Sequence, residues 1–138
     1  MNNQAKIVFV NLSILVFLVA TFQECYVANG METIGSFGFA ALFFGWMNAS
    51  LSFMVWFANP FYFLSIILIK SNKKAAKITA ATSLLLALSF LILDKVVINE
   101  GGTVAKIEAY LLGYWLWVAS IFLLFITSFF NTKPSVNT

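Results

Sequence analysis

The chain has 138 residues, of which 62% are hydrophobic, 17% aromatic and 9% charged, and its mean hydropathy is +0.95. A soluble domain carries about 25% charge, so this composition, with several apolar runs of spanning length, reads as an integral membrane protein. There is no histidine and no arginine, and Cys25 is the single cysteine, which excludes a Ser-His-Asp or Cys-His arrangement, histidine-ligated haem and an intrachain disulfide.

The first apolar run covers residues 7–22 behind Lys6, is interrupted by Asn11, Ser13 and Thr21, and predicts a first span over about 7–27. A signal peptide is the competing reading, but the candidate cleavage sites lack the small-residue pair, so a retained first helix is expected. A polar turn at 29–32 follows.

Residues 35–70 carry no charge before the closing lysine. As one helix at about 1.5 Å per residue this stretch would measure about 54 Å, which overshoots a hydrocarbon core of about 30 Å. It therefore breaks, and Asn59-Pro60 lies inside it. Two foldings are open. In one, residues 36–47 form an apolar half-helix, interfacial or re-entrant, and 49–69 span with a kink at Pro60. In the other, the span ends before Asn59-Pro60, which then caps a short helix. The first is preferred, because residues 61–69 are too apolar to leave the bilayer.

Lys70, Lys73, Lys74 and Lys77 form the only dense charge run. Residues 78–97 form the third span, 99–102 a turn, and 109–130 the fourth span. Residues 131–138 are expected to be a disordered tail. The fold expected is thus all-α: one transmembrane domain over 1–130, a bundle of four spans with an extra half-helix before the second.

Orientation follows from the lysines. With the N-terminus in the cytoplasm, Lys6, Lys70, Lys73, Lys74, Lys77 and Lys133 fall inside, and the acids Glu24, Glu32, Asp94, Glu100 and Glu108 fall outside with Lys95 and Lys106. This obeys the positive-inside rule and puts both termini in the cytoplasm. The lysine run is a topology determinant that also attracts anionic lipid. The basic balance is explained by topology, so no nucleic-acid partner is expected.

Small and hydroxyl residues mark helix–helix contacts in a bilayer. Gly113, Trp117, Ser120, Leu124 and Thr127 share one face of the fourth span, and Ala76, Ala80, Ser83, Ala87 and Phe90 one face of the third. On the first, Ser13, Phe17, Ala20 or Thr21, and Glu24 do the same. Packing is the plainer meaning of these stripes and a narrow polar path the sharper one. Tyr110, Tyr114, Trp115 and Trp117 read as an aromatic belt at headgroup level.

Two places carry candidate functional groups. Glu24 and Asp94 are the ionisable residues closest to the hydrocarbon; interfacial solvation, a structural ion pair and a proton relay are the readings open to them. In Trp56-Phe57-Ala58-Asn59-Pro60, proline removes a donor and frees the Trp56 carbonyl, while Asn59 needs a partner at membrane depth. Such a break is either a healed kink or, as in transporters, an ion site.

The strings Gly113-Tyr114-Trp115-Leu116-Trp117-Val118-Ala119-Ser120 and Trp56-Phe57-Ala58-Asn59-Pro60 resemble small four-helix bacterial inner-membrane proteins that carry no assigned function. The resemblance implies a bacterial inner membrane and carries over no catalytic residue. The functional expectation is a non-enzymatic protein with no cofactor and no metal, acting through helix contacts as an accessory subunit or immunity-type partner of a membrane complex, or as a homo-oligomer. The alternative is a small oligomeric channel or transporter with a polar path near Asn59 and Glu24 or Asp94.

Overall fold

The computed structural model of the chain describes residues 3–28, 36–47, 52–97 and 103–130. Among them, four helical stretches are long and apolar enough to cross a membrane: Asn3–Thr21, Phe53–Ser71, Lys73–Ile92 and Leu112–Phe129. The first is α1 (Asn3–Thr21). The second is built from α3 (Ser52–Trp56) and α4 (Ala58–Ser71), the third from α5 (Lys73–Ser89) with a closing 3-10 turn, and the fourth is α6 (Leu112–Phe129). A shorter helix, α2 (Gly38–Phe44), runs on into the 3-10 turn Gly45–Met47. The half-helix and the second span are therefore separate elements. The turns read at 29–32 and 99–102, and the tail 131–138, lie outside the described residues.

The all-α expectation needs an addition. Three short strands, β1 (Tyr26–Ala28), β2 (Lys95–Val97) and β3 (Val104–Tyr110), form an antiparallel sheet in the order β1-β3-β2. The helices stop where these strands begin, so the first span does not reach residue 27, the third does not reach 97, and the fourth does not start at 109. Tyr26 pairs with Tyr110 and Val27 with Ala109, and the register then shifts so that Ala28 meets Ile107. On the other side Lys95, Val96 and Val97 pair with Lys106, Ala105 and Val104. Strand β3 alternates: Ala105 and Ile107 are buried while Lys106 and Glu108 are exposed. That period of two belongs to a strand with one covered face, and the β-branched Val96, Val97 and Val104 suit it.

Glycine makes the junctions between sheet and helices possible. The segment after α1 threads between the starts of α2 and α6. Gly38 N–H donates to the Gln23 carbonyl at 2.9 Å and Gly113 N–H to the Glu24 carbonyl at 2.8 Å. A Cβ at Gly113 would sit 2.6 Å from the Glu24 carbonyl oxygen and 2.8 Å from that of Gln23. One at Gly38 would run into the Ala20 carbonyl oxygen and lie 2.8 Å from Thr21 Cα. Backbone approaches this close admit only glycine.

The interior divides in two. Phe17, Ala58, Tyr62, Ile69, Ala76, Ala87, Ile121 and Leu124 form the core of the helical bundle. A second cluster under the sheet holds Ala28, Val55, Phe90, Val96, Ala105, Ile107 and Tyr114, and Trp117 and Val118 touch both. Around the bundle, apolar side chains face outward on every long helix, among them Leu15, Ile67, Leu85 and Phe122.

The two ends differ in charge. Lys6 lies inside α1 rather than ahead of it, and its Nζ donates to the Ile69 carbonyl at 3.3 Å. Asn72 joins α4 to α5 and accepts from the Ala75 N–H at 3.0 Å, an N-cap. Lys77 Nζ stands 5.1 Å from the centre of the Phe129 ring. These contacts gather Lys6, Lys70, Lys73, Lys74 and Lys77 at one end of the bundle. Glu24, Asp94, Lys95, Lys106 and Glu108 belong to the sheet end.

Candidate functional site

The break in the second span sits at Phe57. Pro60 has no N–H to give the Trp56 carbonyl, so the α-helical bond at that step is lost. The chain tightens at one step, where Phe57 N–H donates to the Met54 carbonyl at 3.2 Å, and returns to α-helical bonding with Phe61 N–H on the Phe57 carbonyl, also at 3.2 Å. The Trp56 indole reaches away from the bundle axis and donates to the Leu42 carbonyl of α2 at 2.8 Å. The break thus aims one aromatic at the half-helix.

Asn59 is buried, and its Oδ1 accepts from the Trp117 indole of α6 at 2.9 Å. Next to it, Ser83 of α5 donates to the Ala58 carbonyl at 2.7 Å. Three helices therefore meet at the first turn of α4, each through a neutral hydrogen bond.

A second joint lies along the bundle, at Ser13. Its hydroxyl donates to the Ser120 carbonyl of α6 at 2.7 Å and lies 2.8 Å from the Tyr62 hydroxyl of α4. Serine has one proton, and the carbonyl takes it, so Tyr62 donates to Ser13. The Phe17 and Tyr62 rings stack above this joint, 4.8 Å apart and 8° from parallel. Between α4 and α5, Ser65 donates to the Ala76 carbonyl at 3.0 Å. Ala76, Ala80, Ser83 and Ala87 are buried on α5, and Gly113, Ser120 and Thr127 on α6.

The aromatic belt changes meaning. Only Trp115 of its members is well exposed. The Tyr114 hydroxyl is buried and donates to the Ala87 carbonyl at 3.1 Å. Tyr110 donates to the Phe90 carbonyl at 2.9 Å and reaches the Leu93 carbonyl at 3.1 Å. The Ala87 and Phe90 carbonyls already accept from the Phe90 and Leu93 N–H groups of the tightened last turn, and the two phenols add a second donor to each at the end of the third span. Trp117 turns inward to Asn59.

Glu24 and Asp94 are not brought together inside the helices. Glu24 follows the end of α1 and forms a bridge with Phe37 through its backbone; its carbonyl holds Gly113. Asp94 is exposed beyond the last turn of α5, and its carbonyl accepts from Ile107 N–H at 2.9 Å. Lys70, Lys73 and Lys74 are exposed at the opposite end. Beside Glu24, burial pushes the Cys25 thiol up to about 12, and burial also raises the Tyr26 and Tyr110 hydroxyls. These groups stay protonated at neutral pH.

Sequence reasoning singled out Asn59 and Trp117 separately but did not pair them. It missed Tyr62 and Ser65 as interior polar groups, although they follow Asn59 in successive steps of three within α4. The chain matches no family model, no curated protein and no solved structure.

Proposed function

We propose that this chain is a non-enzymatic integral membrane protein that acts through protein contacts, as an accessory subunit or immunity-type partner of a larger membrane complex. The observation that carries this reading is the state of the bundle's interior. Several of its polar side chains engage one another, or backbone carbonyls, across helix boundaries (Ser13 with Ser120 and Tyr62, Asn59 with Trp117, Ser83 with Ala58 and Ser65 with Ala76), and the buried hydroxyls of Thr79, Ser120, Thr127 and Ser128 bond carbonyls of their own helices. A conducting path needs polar groups left over for its cargo; here they lock helices together. What remains for recognition is the surface, namely the apolar flanks, α2 and the sheet end.

In this reading the lysine end faces the cytoplasm with both termini, and the sheet lies outside. The placement in a bacterial inner membrane rests on the resemblance carried by the Trp56–Pro60 and Gly113–Ser120 strings.

The test is gentle extraction from native membranes with in situ cross-linking, followed by mass spectrometry of the intact assembly. A reproducible stoichiometric partner is expected. Recovery of the free monomer alone, with and without cross-linker, refutes the reading. Ion flux in proteoliposomes that is abolished by Asn59→Ala would replace it with a transport function.

A further inference from the structure

The lysine end presents an electrostatic problem that the described residues do not resolve. Lys6 is 8% exposed, and its ammonium reaches one backbone carbonyl, that of Ile69, at 3.3 Å. An ammonium has three protons to donate. Among the described residues, the charges that act on it are of its own sign, Lys73 and Lys77. Lys70 and Lys74 add to the same end. The carboxylates of the described residues, Glu24, Asp94 and Glu108, all belong to the opposite end. A buried cation surrounded by cations is costly unless an anion sits with it.

Position narrows what that anion is. Lys77 is held over the ring of Phe129, which is half exposed at the end of α6 among outward apolar side chains. Asn72 caps α5 here, so the positive end of that 17-residue helix opens toward the same place. Cations at the rim of an apolar flank, one of them buried, match a phosphate whose own tail is apolar.

We propose that Lys6, Lys73 and Lys77 form a binding site for the phosphodiester headgroup of an anionic phospholipid, at the end of the bundle where α1, α4 and α5 come together. The site rests on the reading of the chain as a membrane protein. The Lys6 ammonium supplies the buried contact, Lys73 and Lys77 close over the phosphate from α5, and the acyl chains lie along the outward apolar faces. The exposed Lys70 and Lys74 contribute diffuse attraction.

Native mass spectrometry of the protein in a neutral detergent, with phosphatidylglycerol or phosphatidylcholine added, tests this directly. One phosphatidylglycerol is expected to stay bound at collision energies that strip phosphatidylcholine. Lys73→Gln/Lys77→Gln, at positions that leave the packed core alone, should lower its retention at least tenfold. Lys6→Gln should do the same, and Lys6→Arg should keep it. Lys70→Gln/Lys74→Gln is expected to stay within twofold of the wild type. Equal retention of the two lipids, or equal loss in both double variants, overturns the site. Displacement of the lipid by millimolar inorganic phosphate alone overturns the lipid assignment in favour of a free anion. Alkaline carbonate washing separates the two readings. Protein released by the wash fails the membrane reading, and protein that stays in the pellet without headgroup preference fails only the site.

Discussion

Gly113→Ala adds one methyl group where α6 begins, and the structure fixes what that methyl meets. The new Cβ would lie 2.6 Å from the Glu24 carbonyl oxygen and 2.8 Å from that of Gln23. Both are backbone atoms, so no side chain can rotate out of the way. Relief requires the segment after α1 to move off α6 by more than half an ångström, which lengthens the 2.8 Å bond from Gly113 N–H to the Glu24 carbonyl. Overpacking of this kind costs about 1–3 kcal/mol, and a weakened buried hydrogen bond adds about 1 kcal/mol. A loss of about 2–4 kcal/mol is expected. Gly45→Ala is the matched control. Its Cβ would meet the Trp56 side chain, with Cδ1 at 2.9 Å and the next atom at 3.6 Å. An indole edge can shift, so a loss of about 1 kcal/mol is expected there. Reversible unfolding by SDS in mixed micelles, followed by circular dichroism, measures both. Gly113→Ala within about 0.5 kcal/mol of the wild type, or Gly45→Ala costing as much as Gly113→Ala, would refute the close-approach argument.

The Asn59–Trp117 bond invites a double-mutant cycle with Asn59→Leu and Trp117→Phe in the same assay. A coupling of about 0.6–1.7 kcal/mol is expected for a hydrogen bond between spans, and zero coupling would mean that the two groups do not interact. Tyr114→Phe leaves the Ala87 carbonyl without its phenol and should destabilise by about 1–2 kcal/mol, with faster amide exchange confined to the end of α5. At pH 8 a thiol at about 12 rather than its ordinary 9.0 has about 1,000-fold less thiolate, so maleimide labelling of Cys25 should be slower by about that factor in micelles than in SDS. The same shift makes a pH prediction. Between 9.0 and about 12 the folded thiol holds a proton that the unfolded one has lost, so stability is full below pH 9 and falls as pH rises toward 12. Tyr26 and Tyr110, also raised by burial, act in the same sense. A denaturation midpoint that rises over that range would contradict it.

The four long helices were legible because length and apolarity are properties of a single segment: a run such as residues 112–129 reads as spanning wherever its neighbours lie. The break near Pro60 was legible for the same reason, since a missing N–H is a local fact. The sheet was not, for two physical reasons. Strands β1 and β2 are three residues each, too short to show a period, and each sits at the end of an apolar run, behind Gln23-Glu24 in one case and Asp94 in the other. Strand β3 did carry a signal, the alternation Ala105-Lys106-Ile107-Glu108, which lies ahead of the span expected from 109 and which a reading by apolar length passes over. The interior joints were illegible because each needs a partner far along the chain. Asn59 and Trp117 are 58 residues apart and Ser13 and Ser120 are 107 apart. Tyr110 and Tyr114 carried the chemistry of an interfacial belt, and their capping role appears only once α5 is seen to end beside them.

Strand β1 directly follows the first helix, and β3 directly precedes the last. Their pairing, together with Ser13 reaching Ser120, closes the chain into a ring whose clasp is made at its two ends. A ribosome delivers those ends at different times. While the chain emerges, α4 and α5 can form their hairpin as soon as they are made, but α1 has its contacts to α4 and lacks both its strand partner and α6 until residues 104–129 exist. The first helix therefore waits unclasped until that later segment is made. A chain stopped before residue 104 would keep the α4–α5 hairpin and leave α1 without the strand and the helix that close around it.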